Sequence, residues 1–238
     1  MNLVLKMPPY IERVRIADSP IGYAWDDEDP KEHYLGDDAR LMHQFERIST
    51  RGKIALSTGM AEWVAWRLSI QSTDRVLFQV IEALWAFGAD WRYLKPLKTH
   101  KQKMTWEDWS GPIKGPLCCV YHIFKTICFD APRGMAIEPW MVPLSNLAMY
   151  VLNDPKPFKE WRRFAVERLA RNHPQTKKNL DGDPVPREAL DPDFPYKPEM
   201  ASELVGKFLA KLDYKANPYL QTPQEMKQAG FEGTPYQT

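Results

Sequence analysis

Histidine and aspartate side chains near the N-terminus form the first group that could do chemistry. Four of them lie within eleven residues: His33, Asp37, Asp38 and His43. Imidazole and carboxylate groups bind metals and occur together in metal-dependent hydrolases. Their spacing matches no metal motif, and Asp37 and Asp38 are also suited to begin a helix. We interpret the cluster as structural and expect no metal or other cofactor.

A thiol–imidazole pair on one apolar segment is the second candidate. Cys118 and Cys119 precede His122 by about one helical turn, and a thiolate nucleophile needs a nearby base. Catalytic Cys and His residues, however, usually come from distant parts of a chain, and free cysteines are commonly buried. We therefore assign these side chains to the core.

Two carboxylates interrupt segments that are otherwise apolar. Glu62 and Glu82 could share a metal or a proton if their helices are adjacent, but neither begins the Glu-x-x-His pattern of di-iron bundles. A buried ion pair with Arg67 or Arg75 is the preferred interpretation.

Common catalytic motifs are absent from the sequence. Gly52 and Lys53 lack the preceding glycine of a phosphate-binding loop, and there is neither a Gly-x-Ser-x-Gly elbow nor a Cys-x-x-Cys pair. We expect a protein that is not an enzyme. The alternative is a helical metal-dependent hydrolase with an unfamiliar active site, drawn from His33, Asp38, Glu62 and Glu82.

Negative charge is concentrated in residues 26–38, which we call the acidic segment. Its seven acids are Asp26, Asp27, Glu28, Asp29, Glu32, Asp37 and Asp38, against one base, Lys31. Pro30 and Gly36 indicate a loop. A solvated loop is the simpler interpretation. The functional one is a docking surface for a basic partner, because opposite charges speed association and set specificity. We predict that these seven carboxylates contact a partner.

Positive charge is concentrated in residues 92–103, which contain Arg92, Lys95, Lys98, Lys101 and Lys103. Pro96 interrupts helical spacing there, so no continuous basic face results. The net charge of the whole chain is only +1. Both observations argue against nucleic-acid binding.

Hydrophobic periodicity predicts a mainly α fold, a helical bundle with long irregular connections. Helices are expected over 37–48, 54–70, 74–89, 117–129, 144–152, 155–171 and 200–212, and one short strand at Val14 and Ile16. The helix over 54–70 is apolar nearly all round and should lie centrally. The predicted divisions are an irregular segment over 1–37, a bundle over 38–172, a proline-rich linker over 173–198 and a C-terminal helix and tail over 199–238.

The proline-rich linker, which we call the strap, carries six prolines in 26 positions. The helix that follows it must bury an apolar face, either on its own bundle or on a second copy of the chain. The three cysteines form a poor disulfide framework, and neither a signal peptide nor a membrane-length apolar run is present. We expect a cytoplasmic protein that does not contact a membrane.

The block Ile54–Leu68, with Ala-Glu-Trp-Val-Ala-Trp-Arg inside an apolar helix, carries a family resemblance. Together with the size of the chain, it resembles the helical immunity proteins of bacterial polymorphic toxin systems, including TsiT-type immunity to a type VI secretion nuclease effector. The resemblance implies a cognate toxin, basic and of nuclease type, that the protein binds and blocks. It implies no particular functional residue. An adaptor or chaperone for a secreted effector is a further alternative.

Overall fold

Residues 4–72, 75–97 and 109–237 are described by the computed structural model. They form α-helices and no strand, which confirms the mainly α prediction. The helices are α1 (Pro9–Glu12), α2 (Ala39–Glu46), α3 (Thr50–Arg67), α4 (Val76–Ala89), α5 (Gly111–Asp130), α6 (Glu138–Val151), α7 (Lys156–Asn172), α8 (Ala201–Leu209) and α9 (Pro223–Gln228). Residues 73 and 74, at the expected start of the third long helix, lie outside the described ranges.

The central element is α3, which contacts α4, α5, α6 and α7. Almost all of its side chains are buried, as its apolar sequence predicts. The hydroxyls of Ser57 and Thr58 donate to the carbonyls of Lys53 and Ile54, each at 2.8 Å. These bonds satisfy the polar groups inside the core.

Three helices begin earlier than predicted, and two of them begin at prolines; the third, α3, starts at Thr50 where 54 was expected. α5 starts at Gly111 and α6 at Glu138, whereas starts at 117 and 144 were expected. Pro112 and Pro139 lie in the first turn, where no helical bond to the backbone N–H is lost. In α5 and α6, prolines that look like helix breakers in the sequence therefore lie in the first turn of the helix.

The predicted strand at Val14 and Ile16 is wrong. Val14 lies in a turn, and a short 3₁₀ helix follows over Ile16–Asp18. Arg67, fully buried in α3, donates to the carbonyl oxygens of Ser19 at 2.9 Å and Pro20 at 2.7 Å. The backbone here is thus bonded to a core guanidinium and not to a neighbouring strand.

The strap forms no long helix, as its prolines dictate, but it packs tightly on the bundle. The carbonyl oxygens of Leu180 and Asp181 accept the N–H groups of Thr50 and Arg51, both at 2.9 Å, at the start of α3. Leu190 is buried and packs over Gly59, where an added Cβ would lie 2.6 Å from the leucine methyl. The second half of the strap therefore contributes residues to the core, among them Val185, Ala189 and Leu190, whereas residues 174–181 are exposed.

The C-terminal part of the chain returns to its own bundle. Leu209 and Leu212 are buried. Further on, the Asn217 amide donates to the Gln79 carbonyl at 2.9 Å and to the Glu82 carboxylate at 3.0 Å. The buried part of this apolar face packs on the protein's own bundle, and contact with a second copy stays a prediction.

Candidate partner-binding segment

The acidic segment is anchored to the start of α5. Both carboxylate oxygens of Asp27 accept the backbone N–H of Gly111, at 2.9 and 2.8 Å, and one also accepts the indole N–H of Trp25 at 2.9 Å. Trp25 lies so close to Gly115 that an added Cβ would be 2.1 Å from the indole nitrogen. Glycine at position 115 is therefore required for this contact.

A second anchor joins the middle of the acidic segment to α6. The His33 ring stacks on Tyr150, with centroids 4.8 Å apart and planes 16° from parallel. The backbone N–H of Asp26 donates to His33 Nε2 at 2.9 Å. The Asn146 amide donates to the carbonyl oxygens of Tyr34 at 3.2 Å and Gly36 at 3.4 Å. The segment is thus an irregular loop with several fixed points.

Three of the seven predicted contact residues have local structural roles. Asp27 caps α5, Asp38 caps α2 by accepting the N–H of Leu41 at 2.8 Å, and Asp26 accepts the N–H of Glu28 at 2.8 Å. Asp27 is also only half-exposed.

The other four carboxylates are exposed and, among the described residues, have no hydrogen-bond or ion-pair partner: Glu28, Asp29, Glu32 and Asp37. Contact with a partner remains a prediction for all seven, and these four are the ones free to make it.

The predicted thiol–imidazole group lines a cavity of about 210 Å³ beneath the acidic segment. Burial raises the pKa of Cys118 to about 12 and that of Cys119 to about 11, so both thiols stay protonated near neutral pH. Burial also lowers the pKa of His122, and the Lys125 charge adds to this effect. These shifts fit the packing role expected for both cysteines.

The suspected metal cluster is dispersed. His33 stacks on Tyr150, Asp38 caps α2, and His43 pairs with Glu46 at 2.9 Å. Within the described ranges, no group of three or more His, Cys, Asp or Glu residues is placed to hold a metal ion.

Glu62 does form a buried ion pair, but the predicted partners were wrong. Its carboxylate accepts Nε of Arg187 from the strap at 2.8 Å and Nε1 of Trp85 at 2.7 Å. Arg67 donates to backbone carbonyls and Arg75 lies over the Phe78 ring. Hydrophobic periodicity could not identify a partner that comes from a proline-rich segment 125 residues away.

Glu82 is held by the two chain ends. It accepts the backbone N–H of Val4 at 2.7 Å and the Asn217 amide at 3.0 Å. The two carboxylates therefore serve separate sites and do not face a shared ligand.

An apolar groove of about 700 Å³ lies beside the acidic segment, which contributes Tyr34 and Leu35 to its wall. Phe129 and Trp140 line it and are 56% and 38% exposed. Such exposed aromatic side chains are typical of protein-binding surfaces. This groove could not be predicted from the sequence, because α5 and α6 were expected to start later than they do and their relative placement depends on long-range packing. The basic side chains of its lining are Lys31, Lys95, Lys125 and Arg133.

The basic stretch is only partly described. Arg92 pairs with Asp90 at 2.6 Å, and Lys95 lies 3.6 Å from Glu225. Lys98, Lys101 and Lys103 lie outside the described residues. The two described cations are therefore engaged with acids of the protein itself.

Comparisons with protein-family models, curated proteins and solved structures return no match for this chain. Among the described residues, no helix has both the length and the apolar character needed to cross a membrane.

Proposed function

We propose that this protein is an immunity protein that binds a cognate toxin, basic and of nuclease type, and blocks it stoichiometrically. The observation that carries the proposal is the pairing of free carboxylates with an apolar groove on one anchored surface. The resemblance of the α3 block to helical immunity proteins supports it.

The free carboxylates supply long-range attraction. Glu28, Asp29 and Glu32 are exposed on a loop whose backbone is fixed by Asp27 and His33. A fixed loop loses little conformational entropy when it binds. Its charge would attract the basic cleft that a nuclease uses for its phosphate substrate.

The apolar groove supplies short-range affinity. Interfaces usually combine a desolvated aromatic centre with a polar rim. Phe129 and Trp140 provide such a centre, and the charged side chains at its rim are Lys31, Lys95, Lys125 and Arg133. The proposed occupant of the groove is therefore an apolar side chain of the toxin, which lies next to the basic toxin surface that meets the free carboxylates.

Association kinetics with the product of the neighbouring toxin gene test the proposal. Glu28, Asp29 and Glu32 are replaced by lysine in one variant. The control replaces the exposed carboxylates Glu12, Glu199 and Glu232 by lysine, so the net charge of both variants is equal.

The first variant should associate about tenfold more slowly or worse at low salt, with the difference shrinking as salt is added. The control should stay near the wild-type rate. Equal rates for all three proteins would remove the acidic segment from the interface. Binding without loss of toxin activity would instead favour an adaptor or chaperone.

A further inference from the structure

A basic cleft between α2 and α7 lies outside the surface described above. Its volume is about 530 Å³. Arg40 lines it from α2 and Arg47 from the C-cap position directly after α2, and Arg163 and Arg171 line it from α7. Glu167 is the one acid among its lining residues, so the titratable side chains there carry a net charge of +3, four arginines less one glutamate.

The arginines face one another because of helical spacing. Position 40 in α2 and position 47, the C-cap of α2 in helical conformation, lie two turns apart on one face, and positions 163 and 171 lie about two turns apart along α7. At about 1.5 Å per residue, each pair spans about 10 to 12 Å along its helix.

One end of the cleft is closed by the backbone. The N–H of Ser49 donates to the His173 carbonyl at 2.9 Å, and the N–H of Gln175 donates to the Arg47 carbonyl at 3.0 Å. These bonds tie the C-terminal end of α2 to that of α7. The cleft is therefore bounded by backbone at this end.

These four arginines differ from all the others in the chain. In the part of the chain that the structure describes, none of the four has a hydrogen bond, an ion pair or a ring contact through its side chain. Each of the other ten arginines has at least one such contact. The four positive charges outnumber the single acid Glu167, so they repel one another, and a bound anion would relieve that repulsion.

We propose that this cleft binds a small ligand that carries two or three phosphate groups. Guanidinium groups bind phosphate oxygens in pairs and stay charged at any physiological pH. A net charge of +3 matches the charge of an oligophosphate. The volume lies in the range of small-molecule sites, about 300 to 1,000 Å³. The closed end favours a compact ligand over a nucleic-acid strand that must pass through.

Titration calorimetry with inorganic tripolyphosphate tests the site. The variant replaces Arg47 and Arg171 by glutamine. The control replaces Lys211 and Lys215, two exposed lysines outside the cleft, by glutamine, and so loses the same charge. Thermal unfolding of each protein checks that it is folded. Because the substituted side chains are all exposed, similar midpoints are expected.

Wild type and control should bind one tripolyphosphate per chain. The arginine variant should bind at least about tenfold more weakly, because the loss of one hydrogen bond to a charged group lowers affinity by about that factor. Adenosine triphosphate should compete for the same site, and single inorganic phosphate should bind more weakly than tripolyphosphate. Equal affinity of the arginine variant and the control would overturn the proposal. A DNA or RNA oligonucleotide that binds more tightly than tripolyphosphate would overturn the assignment to a small ligand.

Discussion

Arg187 and Glu62 form an ion pair in the core although 125 residues separate them in the chain. Glu62 has no exposed surface, whereas the Arg187 side chain is 22% exposed. Burial lowers the pKa of Arg187, but the charge and hydrogen bonds of Glu62 outweigh that effect and raise it overall. Arg187 also donates to the Lys6 carbonyl at 2.7 Å. The pair thus links the strap, α3 and the N-terminal segment.

Replacing Arg187 by methionine should therefore lower the free energy of unfolding by about 3 to 5 kcal/mol, because it leaves a buried carboxylate without its counter-charge. Denaturant unfolding measures the change. The matched control is Arg13→Met, which breaks the exposed pair with Asp193 and should cost about 1 kcal/mol at most. A loss at Arg187 no larger than that of the control would show that the pair does not stabilise the fold.

The pH dependence of stability should report on His173. Burial lowers its pKa, Asp183 opposes the shift, and the ring is hydrogen-bonded to the Tyr196 hydroxyl at 2.7 Å. Below about pH 6.5 the unfolded chain takes up a proton on this histidine before the folded chain does. The contribution of His173 to the free energy of unfolding is therefore complete above that pH and is lost as the pH falls.

His173→Gln removes the titration and keeps a hydrogen-bonding side chain. Between pH 7.5 and 5.5, the wild type should lose more stability than this variant, as measured by denaturant unfolding at each pH. Equal losses of unfolding free energy in the wild type and the variant would contradict a role for His173 in the pH dependence.

Thiol labelling tests the structural role of the cysteines. Burial raises the pKa of Cys118 to about 12 and of Cys119 to about 11, and it also raises that of Cys128. At pH 8, labelling by a disulfide reagent should be about a hundredfold slower, or more, in the folded protein than in denaturant, because little thiolate is present. Rapid labelling of folded Cys118, located by mass spectrometry, would instead indicate an activated thiol.

The apolar groove should contribute to how long a complex with the toxin lasts. Phe129→Ala is expected to raise the dissociation rate about tenfold or more, since truncated aromatic anchors commonly cost 2 kcal/mol or above, and to change the association rate little. Ile70→Ala is the control, because Ile70 is 64% exposed and is not among the groove residues. An unchanged dissociation rate for Phe129→Ala would exclude the groove from the interface.

Local patterns predicted the helical class and the central position of α3, because both follow from residues that are neighbours in the chain. They also predicted that Glu62 would be paired. They could not predict Arg187 as its partner, nor Thr50 and Leu180 as neighbours at the start of α3, because these contacts depend on where the strap returns. The free carboxylates of the acidic segment could be separated from Asp27 and Asp38 only once the starts of α5 and α2 were known.

The arginine cleft depends on the same long-range information. Spacing alone shows that Arg163 and Arg171 lie about two turns apart along α7. It does not show that Arg40 and Arg47 lie opposite them, or that Glu167 is the one acid in the lining of the cleft.

Titration of the neighbouring gene's toxin with the purified protein, followed by toxin activity, tests the central claim most directly. A stoichiometric inhibitor should reduce activity linearly until it vanishes at one chain per toxin, and the toxin should regain its activity when the complex is dissociated. Activity that is unaffected at excess protein would contradict the claim, as would activity that is destroyed irreversibly by a small fraction of an equivalent.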